Sequence, residues 1–427
     1  MSITLENANI KLREPKGSPW PHYFLAALHV LLLAAPPFRH RRAVANIGTG
    51  VLMALCWRHP NFTTDFAVAQ PFSIAWSTYM ATLEKITLLP AGQTPETSFW
   101  RVDKPAHEAT GYGAFSLSKI RWALTLIFNM RGIRWNHEIK NVPALPASQT
   151  LSRLRFTAWR LAAAAYYLFM ADLASHAMVL ICYTDETSLL RGDVNSKYLR
   201  IWDDRSLVWS FVRALTFGVQ PYYMLQMQYT VFSIVAVATT ASRPADWPPQ
   251  FGRLSETTSV RAFWGSYWHQ TLRRMFESWM RAARDWCGFR QGTWQSRYIQ
   301  LWLSFIMSGL GHAASVLILP SPKNITFQER TEGLLLFFLW QAFIITIEDG
   351  IKHVWNQWLG GPRAKDHVVP RVAGYIWVIG MLWFSMGWAG DVFLRMRLAE
   401  EPLFGSSPSG AFLETWIPMI RKYLVSS

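Results

Sequence analysis

Leu161–Met170 and Trp377–Trp388 each run without a charged residue, and both sit inside longer apolar stretches of a kind that recurs along the chain. A helix needs roughly 17–25 mostly apolar residues to cross a bilayer. Backbone in lipid must satisfy its own hydrogen bonds, so stretches of this length point to a bundle of transmembrane helices. Clear candidates lie at His22–Pro37, Phe66–Leu83, Phe156–Tyr183, Tyr222–Ala241, Tyr298–Pro320, Glu332–Gly350 and Val372–Leu394. Val44–Trp57 is short, Ser116–Met130 carries Lys119 and Arg121, and Ser206–Val219 is ambiguous. The expected fold is all-α, one polytopic domain over 1–427 with about eight spans, in a range of roughly seven to nine.

Composition supports that class. With 51% hydrophobic and 16% charged residues, disorder is excluded, because disordered chains pair low hydrophobicity with high charge. The net charge of +15 comes from 42 Lys+Arg against 27 Asp+Glu. In so apolar a chain the excess reads as cytosolic loops on a lipid bilayer rather than as a nucleic-acid surface. Phe38–Arg42 holds three arginines, and Ala241–Arg297 carries nine Lys/Arg against four acids. Placing such loops in the cytosol, including 242–297, makes Thr184–Arg205 and Ser321–Thr331 lumenal. The N-x-[ST] sequons at Asn61 and Asn324 then share the lumenal side, as N-glycosylation in the endoplasmic reticulum requires. Most of the 23 Trp, Trp20, Trp57 and Trp302 among them, fall near span ends as interfacial anchors. The first 20 residues are polar and mixed in charge, so the first apolar run is expected to stay as a span.

Several chemistries lack their residues. Cys56, Cys182 and Cys287 form neither a CxxC pair nor a disulfide framework. No histidine box, H-E-x-x-H site, Walker-A loop or G-x-S-x-G elbow occurs. The expectation is no bound metal.

Two constellations remain. His312 follows Phe305-Ile306-Met307-Ser308-Gly309-Leu310-Gly311 well inside an apolar stretch, and an ionisable group at that depth marks a functional site by default. It is either a general base or a structural histidine donating to a helix carbonyl. The small residues Ser308, Gly309 and Gly311 leave room for a substrate or for close helix approach. The second constellation is Ser259–Gln270 followed by Thr271-Leu272-Arg273-Arg274. A basic amphipathic helix on the membrane accounts for its Trp264, Trp268, Arg273 and Arg274, but not for His269-Gln270. At the end of the span after His312 stand Glu348 and Asp349. Glu348 either orients an imidazole or is a helix-end carboxylate at the interface. Gln341, deeper in that span, either bonds an acceptor or joins two helices.

The pair RAFWGSYWHQTLRR and FIMSGLGH resembles the wax-synthase-like branch of the membrane-bound O-acyltransferases. That branch includes plant wax synthases and fungal acetyltransferases of terpenoid and meroterpenoid pathways. Arg131-Gly132-Ile133-Arg134-Trp135-Asn136, Lys140-Asn141-Val142-Pro143 and Trp247-Pro248-Pro249-Gln250-Phe251-Gly252 are similar to the fungal members, so the resemblance spans about 131–350. Arg134 departs from it where a glycine is usual, and His137 where another Trp is common.

The resemblance implies transfer of an acyl group, foremost acetyl, from acyl-CoA as co-substrate to a hydroxyl of a hydrophobic, terpenoid-like secondary metabolite. It makes His312 the base and His269 its partner. The chemistry agrees: a hydroxyl with a pKa of about 16 must lose its proton as it attacks, and a neutral imidazole takes it. The thioester oxyanion needs a donor, which His269, Gln270 or Trp268 can supply. Arg261, Arg273 and Arg274 suit a cytosolic entrance for the CoA phosphates, or serve topology alone. Ser308, Gln341 and Glu348 are candidates for contact with the acceptor. Two other functions stay open: a long-chain fatty-alcohol wax-ester synthase, and a transporter of a lipophilic compound with His312 in a proton relay. Against the transporter stands the lack of any repeat between the halves.

Overall fold

The computed structural model describes residues 11–146, 152–183, 199–202, 206–358, 368–398, 400–405 and 408–425. Among them no strand forms, and only two isolated bridges interrupt a helical chain. Eleven helices carry the fold: α1 (Trp20–Ala34), α2 (Arg41–Arg58), α3 (Phe66–Thr87), α4 (Leu117–Phe128), α5 (Arg153–Met178), α6 (Leu207–Ala238), α7 (Arg273–Trp286), α8 (Trp294–Ile318), α9 (Phe327–Trp358), α10 (Val368–Arg395) and α11 (Pro408–Val425). A π turn, Val179–Tyr183, extends α5.

Among the described residues, four helices are long and apolar enough to cross a bilayer: Arg153–Tyr183, Trp294–Ile318, Phe327–Gln357 and Val369–Arg395. α1 is apolar but only 15 residues long. Other long helices carry polar side chains within their length, such as Arg213, Gln220 and Gln226 in α6 and Glu84 with Lys85 in α3. Ser206–Val219 and Tyr222–Ala241, read separately from sequence, belong to one helix of 32 residues that continues through Pro221. The proline removes one backbone donor, but flanking residues keep the helix intact. Ser116–Met130 yields α4, at 12 residues too short to cross. Its Lys119 is buried against Glu96 at 2.9 Å, and Arg41 of α2 closes on the same carboxylate at 2.9 Å. Of the segment Thr184–Arg205, 184–198 and 203–205 lie outside the described residues.

Side-chain caps set where the long helices begin. Asp65, Ser152, Ser206 and Thr293 accept backbone N–H groups from the first turns of α3, α5, α6 and α8, satisfying donors a helix leaves open. α1, α2 and α3 pack together, α5 lies along α6, and α8 contacts α3, α7 and α9. The Arg13 N–H donates to the Ser321 carbonyl at 2.9 Å, and the Lys16 and Gly17 N–H groups donate to the Asn61 carbonyl at 2.9 Å. Both sequons therefore sit at the same end of the bundle.

Between α6 and α7 the chain is irregular, and this stretch positions the site. Ser259 caps Val260–Ala262, a π turn covers Phe263–Tyr267, and the chain turns extended at Trp268 (ψ 142°) before α7 starts. This hook interrupts the amphipathic helix that is one of the two sequence readings: Trp264 and Trp268 lie in the hook, His269 in the break, and Arg273 and Arg274 open α7.

Candidate active site

Ser308 and His312 stand one turn apart on α8, so the imidazole lies over the carbonyl of the preceding turn. His312 Nδ1 is 2.8 Å from the Ser308 oxygen. A carbonyl only accepts, so Nδ1 carries the proton and donates, and Nε2 keeps its lone pair. This is the bond of the structural alternative, and it also fixes the tautomer that a proton acceptor needs. Phe338 of α9 packs on the ring at 4.7 Å, and Trp76 of α3 meets it edge-on at 6.4 Å. The neighbouring small residues serve helix approach. A Cβ on Gly311 would lie 2.2 Å from the Trp76 ring, and one on Gly309 3.0 Å from Leu335.

His269 is held by unlike means. Gln270 Nε2 donates to the Trp264 carbonyl at 3.0 Å and to the Trp268 carbonyl, while its Oε1 accepts from Arg273 at 3.1 Å. The amide is thus spent on shaping the hook. Trp268 stacks on Phe263 at 5.6 Å. Gly252 donates its N–H to the Tyr267 carbonyl at 2.8 Å, and the absence of a side chain lets this segment lie on the hook. Phe251 then meets the His269 ring edge-on at 6.0 Å. His269 Nδ1 is buried and has no hydrogen-bond partner. Burial, with the charges of His312 and Arg131 adding to it, pushes the His269 imidazole down to about 4. Both imidazoles are partly buried.

The remaining candidates form the frame. Glu348 accepts from the N–H of Val260 at 2.6 Å, of Arg261 at 3.1 Å and from Trp377 Nε1 at 2.9 Å. It caps the hook's first turn and does not bond an imidazole. Gln341 accepts from Trp264 Nε1 at 3.1 Å and donates to Ser385 Oγ at 2.9 Å, joining α9, α10 and the hook. Ser308 contributes through its carbonyl. Arg261 pairs with Asp349, Arg273 with Glu277 at 2.8 Å and Arg274 with Glu84 at 3.1 Å. Each of the three basic residues singled out from sequence therefore has a carboxylate beside it.

Sequence reading missed a second concentration of charge. Residues 241–249 are gripped by arginines from across the fold. Arg121 donates to the Ala241 carbonyl, Arg153 to Ser242, Arg160 to Trp247, and Arg131 to Pro248 and Pro249. Arg101 and Arg134 pair with Asp246 at 3.3 and 3.4 Å. The signal lay in the arginines of 101–160, which topology alone had absorbed.

The same region explains both departures from the family pattern. Arg134 has φ +60°, a conformation that favours glycine. Its N–H donates to Glu138 at 2.6 Å, and its guanidinium pairs with Asp103 and Asp246. His137 packs between Phe99 at 4.8 Å and Trp135 at 5.6 Å. Burial and the charges of Arg274 and Lys85 hold it down to about 2, so it fills the Trp position as a neutral aromatic.

The family model described as "Membrane bound O-acyl transferase family" matches residues 247–340, the stretch that contains both histidines. The chain belongs to that family. A second model, "Aspirochlorine biosynthesis protein F C-terminal domain", matches 152–238. Aspirochlorine biosynthesis protein F of Aspergillus oryzae is 39% identical over 243 residues, 57% of this chain and 93% of that protein. Acetyltransferase ple2 of Rhodocybe pseudopiperita is 26% identical over 306 residues, 71% and 74% of the two chains. Acetyltransferase pyr8 of Aspergillus fumigatus is 25% identical over 279 residues, 64% of each. This O-acyltransferase is an integral membrane protein of secondary metabolism. Among the described residues no group of His, Cys, Asp and Glu is arranged to hold a metal ion.

Proposed function

We propose that the chain transfers an acetyl group from acetyl-CoA to a hydroxyl of a hydrophobic, terpenoid-like secondary metabolite, with His312 as general base and His269 as its partner. One observation carries the reading: His312 is bonded through Nδ1 to the Ser308 carbonyl, which leaves the lone pair of Nε2 free to accept a proton. The acceptor hydroxyl attacks the thioester carbon as Nε2 takes its proton. The ring N–H of a neutral His269 stabilises the oxyanion, with Trp268 beside that ring. When the tetrahedral intermediate collapses, the C–S bond breaks and the imidazolium returns the proton to the sulfur. The products are an acetyl ester and free CoA, with no net proton change at the protein.

Glu348 and Gln341 enter this mechanism as positioning residues, since both hold the hook and neither bonds a histidine. The hydrophobic acceptor arrives from the bilayer. An endoplasmic-reticulum membrane suits the reading, with the sequon end lumenal. Of the two sequons Asn324 is the better acceptor, being exposed, whereas Asn61 is partly buried and donates to the Arg13 carbonyl at 3.4 Å.

Membranes containing the protein, incubated with acetyl-CoA or palmitoyl-CoA and a panel of terpenoid and fatty alcohols, should yield an acetyl ester detectable by mass spectrometry. His312→Ala should insert normally and lose that product. Full transfer by the variant would remove His312 from the mechanism, and palmitoyl esters of fatty alcohols alone would favour wax-ester synthesis.

A further inference from the structure

We propose that the phosphate-bearing nucleotide head of acyl-CoA docks at Ser152, Arg153 and Arg243, on the arginine-gripped segment 241–249, and not at Arg261, Arg273 and Arg274. The inference rests on the acyltransferase reading and adds to it the place where the donor is held.

Three observations point there. The first is a surface cavity of about 350 Å³, lined by Ser152, Arg153, Arg243, Pro244 and Ala245. Arg243 keeps 60% of its side chain exposed, and Ser152 and Arg153 are exposed beside it.

The second is uncancelled charge. Arg121, Arg131, Arg153 and Arg160 spend donors on backbone carbonyls of this segment. A carbonyl satisfies a guanidinium N–H but leaves its charge in place. The carboxylates that answer by ion pair are Asp103 and Asp246, shared among Arg101, Arg134 and Arg243. Glu108 accepts the Arg101 N–H and the Tyr112 hydroxyl, and Glu138 the Arg134 N–H, so both keep their charge, but the seven arginines named here still outnumber the four acids. The field of the cluster is therefore positive, as a ligand with several phosphate charges requires. At the hook, Arg273 and Arg274 each face a carboxylate and Arg261 shares Asp349 with Arg297, so each of the three guanidiniums is already engaged by an acid.

The third is continuity with the histidines. The segment that begins at the cavity runs through Pro248 and Pro249, whose carbonyls hold Arg131, to Phe251 against His269. Acyl-CoA has the same polarity: phosphates at one end, a thioester at the far end of the pantetheine arm. Docked by its nucleotide, it directs the thioester along this segment toward the imidazoles.

The test compares wild type, Arg243→Gln and Arg153→Gln in nanodiscs of zwitterionic lipid, with melting temperature as the folding control. Arg153 also bonds the C-terminal turn of α6 at Val237, so Arg243→Gln is the cleaner variant. The donors are acetyl-CoA and S-acetyl-N-acetylcysteamine, which lacks every phosphate. Losing one charge-assisted contact should raise the KM for acetyl-CoA about tenfold, flatten its salt dependence and leave the KM of the truncated donor in place. An unchanged acetyl-CoA KM, or an equal rise for both donors, overturns the proposal. Equilibrium binding of free CoA separates the two readings. Binding that weakens in Arg243→Gln without any ester formed by wild type supports the site and removes the transferase. Failure of wild type to bind CoA overturns the site. So does loss of the Arg243 effect when anionic lipid is added at constant ionic strength, which assigns the cavity to a lipid headgroup.

Discussion

Replacing Gly252 with alanine tests whether the Trp247–Gly252 segment positions His269. A Cβ built on Gly252 lies 2.2 Å from the Ser266 carbonyl oxygen, 3.0 Å from its carbon and 3.1 Å from Tyr267 Cα. All three are backbone atoms, so no side chain can swing away. Real Cβ contacts essentially never fall under 3.0 Å, so the segment must separate from the hook by ~0.8 Å to relieve the overlap. Overpacking of that kind costs about 1–3 kcal/mol. Stretching the 2.8 Å bond from the Gly252 N–H to Tyr267 puts a further ~0.5–1.5 kcal/mol at risk. Phe251, next in sequence, then backs away from the His269 ring. A misplacement near 1 Å in a reacting constellation reduces rate by about 100-fold. Gly265 is the matched control: it lies in the same hook, and a Cβ there meets nothing within 4 Å. The assay is initial-rate ester formation in membranes normalised to protein level, with the melting temperature of the detergent-extracted protein alongside. Gly252→Ala should lose about two orders of magnitude in kcat, and Gly265→Ala should behave as wild type. Full activity in Gly252→Ala, or equal damage in both variants, would refute the positioning argument.

Other outcomes follow from the same geometry. Glu348→Gln keeps the size of the cap but offers one acceptor oxygen to three donors; leaving a buried donor unmet costs about 1–3 kcal/mol, read as a lower melting temperature and a reduced kcat. Arg134→Gly relieves a left-handed residue at a gain of about 1–2 kcal/mol but forfeits partly exposed ion pairs worth ~0–1 kcal/mol each and adds glycine's chain entropy. Stability should stay within about 1 kcal/mol of wild type, and a larger drop in thermal unfolding would show that the pairs with Asp103 and Asp246 dominate. For pH, the His269 imidazole is pushed down to about 4 from 6.5, so the native state refuses a proton that the unfolded chain accepts between those values. Stability should fall as pH drops through that window, while initial rates show no inflection due to His269 near 6.5. An inflection there that disappears in His269→Gln would contradict this burial.

Hydropathy made most of the bundle legible because lipid leaves a spanning backbone few alternatives. It failed where polar side chains interrupt a helix that packing sustains: α6 read as two segments around Pro221, and α11, containing Pro418, was not seen. The shape of the hook was not legible, for a different reason. Its residues have helical periodicity, but the Gln270 amide bonds the Trp264 and Trp268 carbonyls and bends the chain into a π turn and a break. Local bonds of that kind leave no periodic trace. His312 was legible by depth alone. The arginines on 241–249 were not, since in a membrane protein a basic loop already has a sufficient explanation in topology.

The two imidazoles sit on unlike supports, a regular helix and an irregular break, and the proposed mechanism requires them to hold one geometry. Trp264 of the hook packs directly on Phe305 of α8, and one stripe of α9 adds a second link. Phe338 packs on His312, Gln341 accepts from Trp264 in the hook, Ile345 shares a buried cluster with Val260, and Glu348 caps Val260. These positions are spaced three, four and three residues apart, which on a helix is one continuous face. All four are buried, and Gln341 and Glu348 also bond α10 through Ser385 and Trp377, which ties the stripe to a third helix. A rotation or axial shift of α9 moves both histidines together and preserves their relation. A substitution within the stripe uncouples them, and it acts on the pair rather than on either ring. Gln341 and Glu348, seven residues apart on α9, are thereby accounted for without any contact to substrate: in the proposed mechanism they hold the hook that carries His269 against the helix that packs on His312.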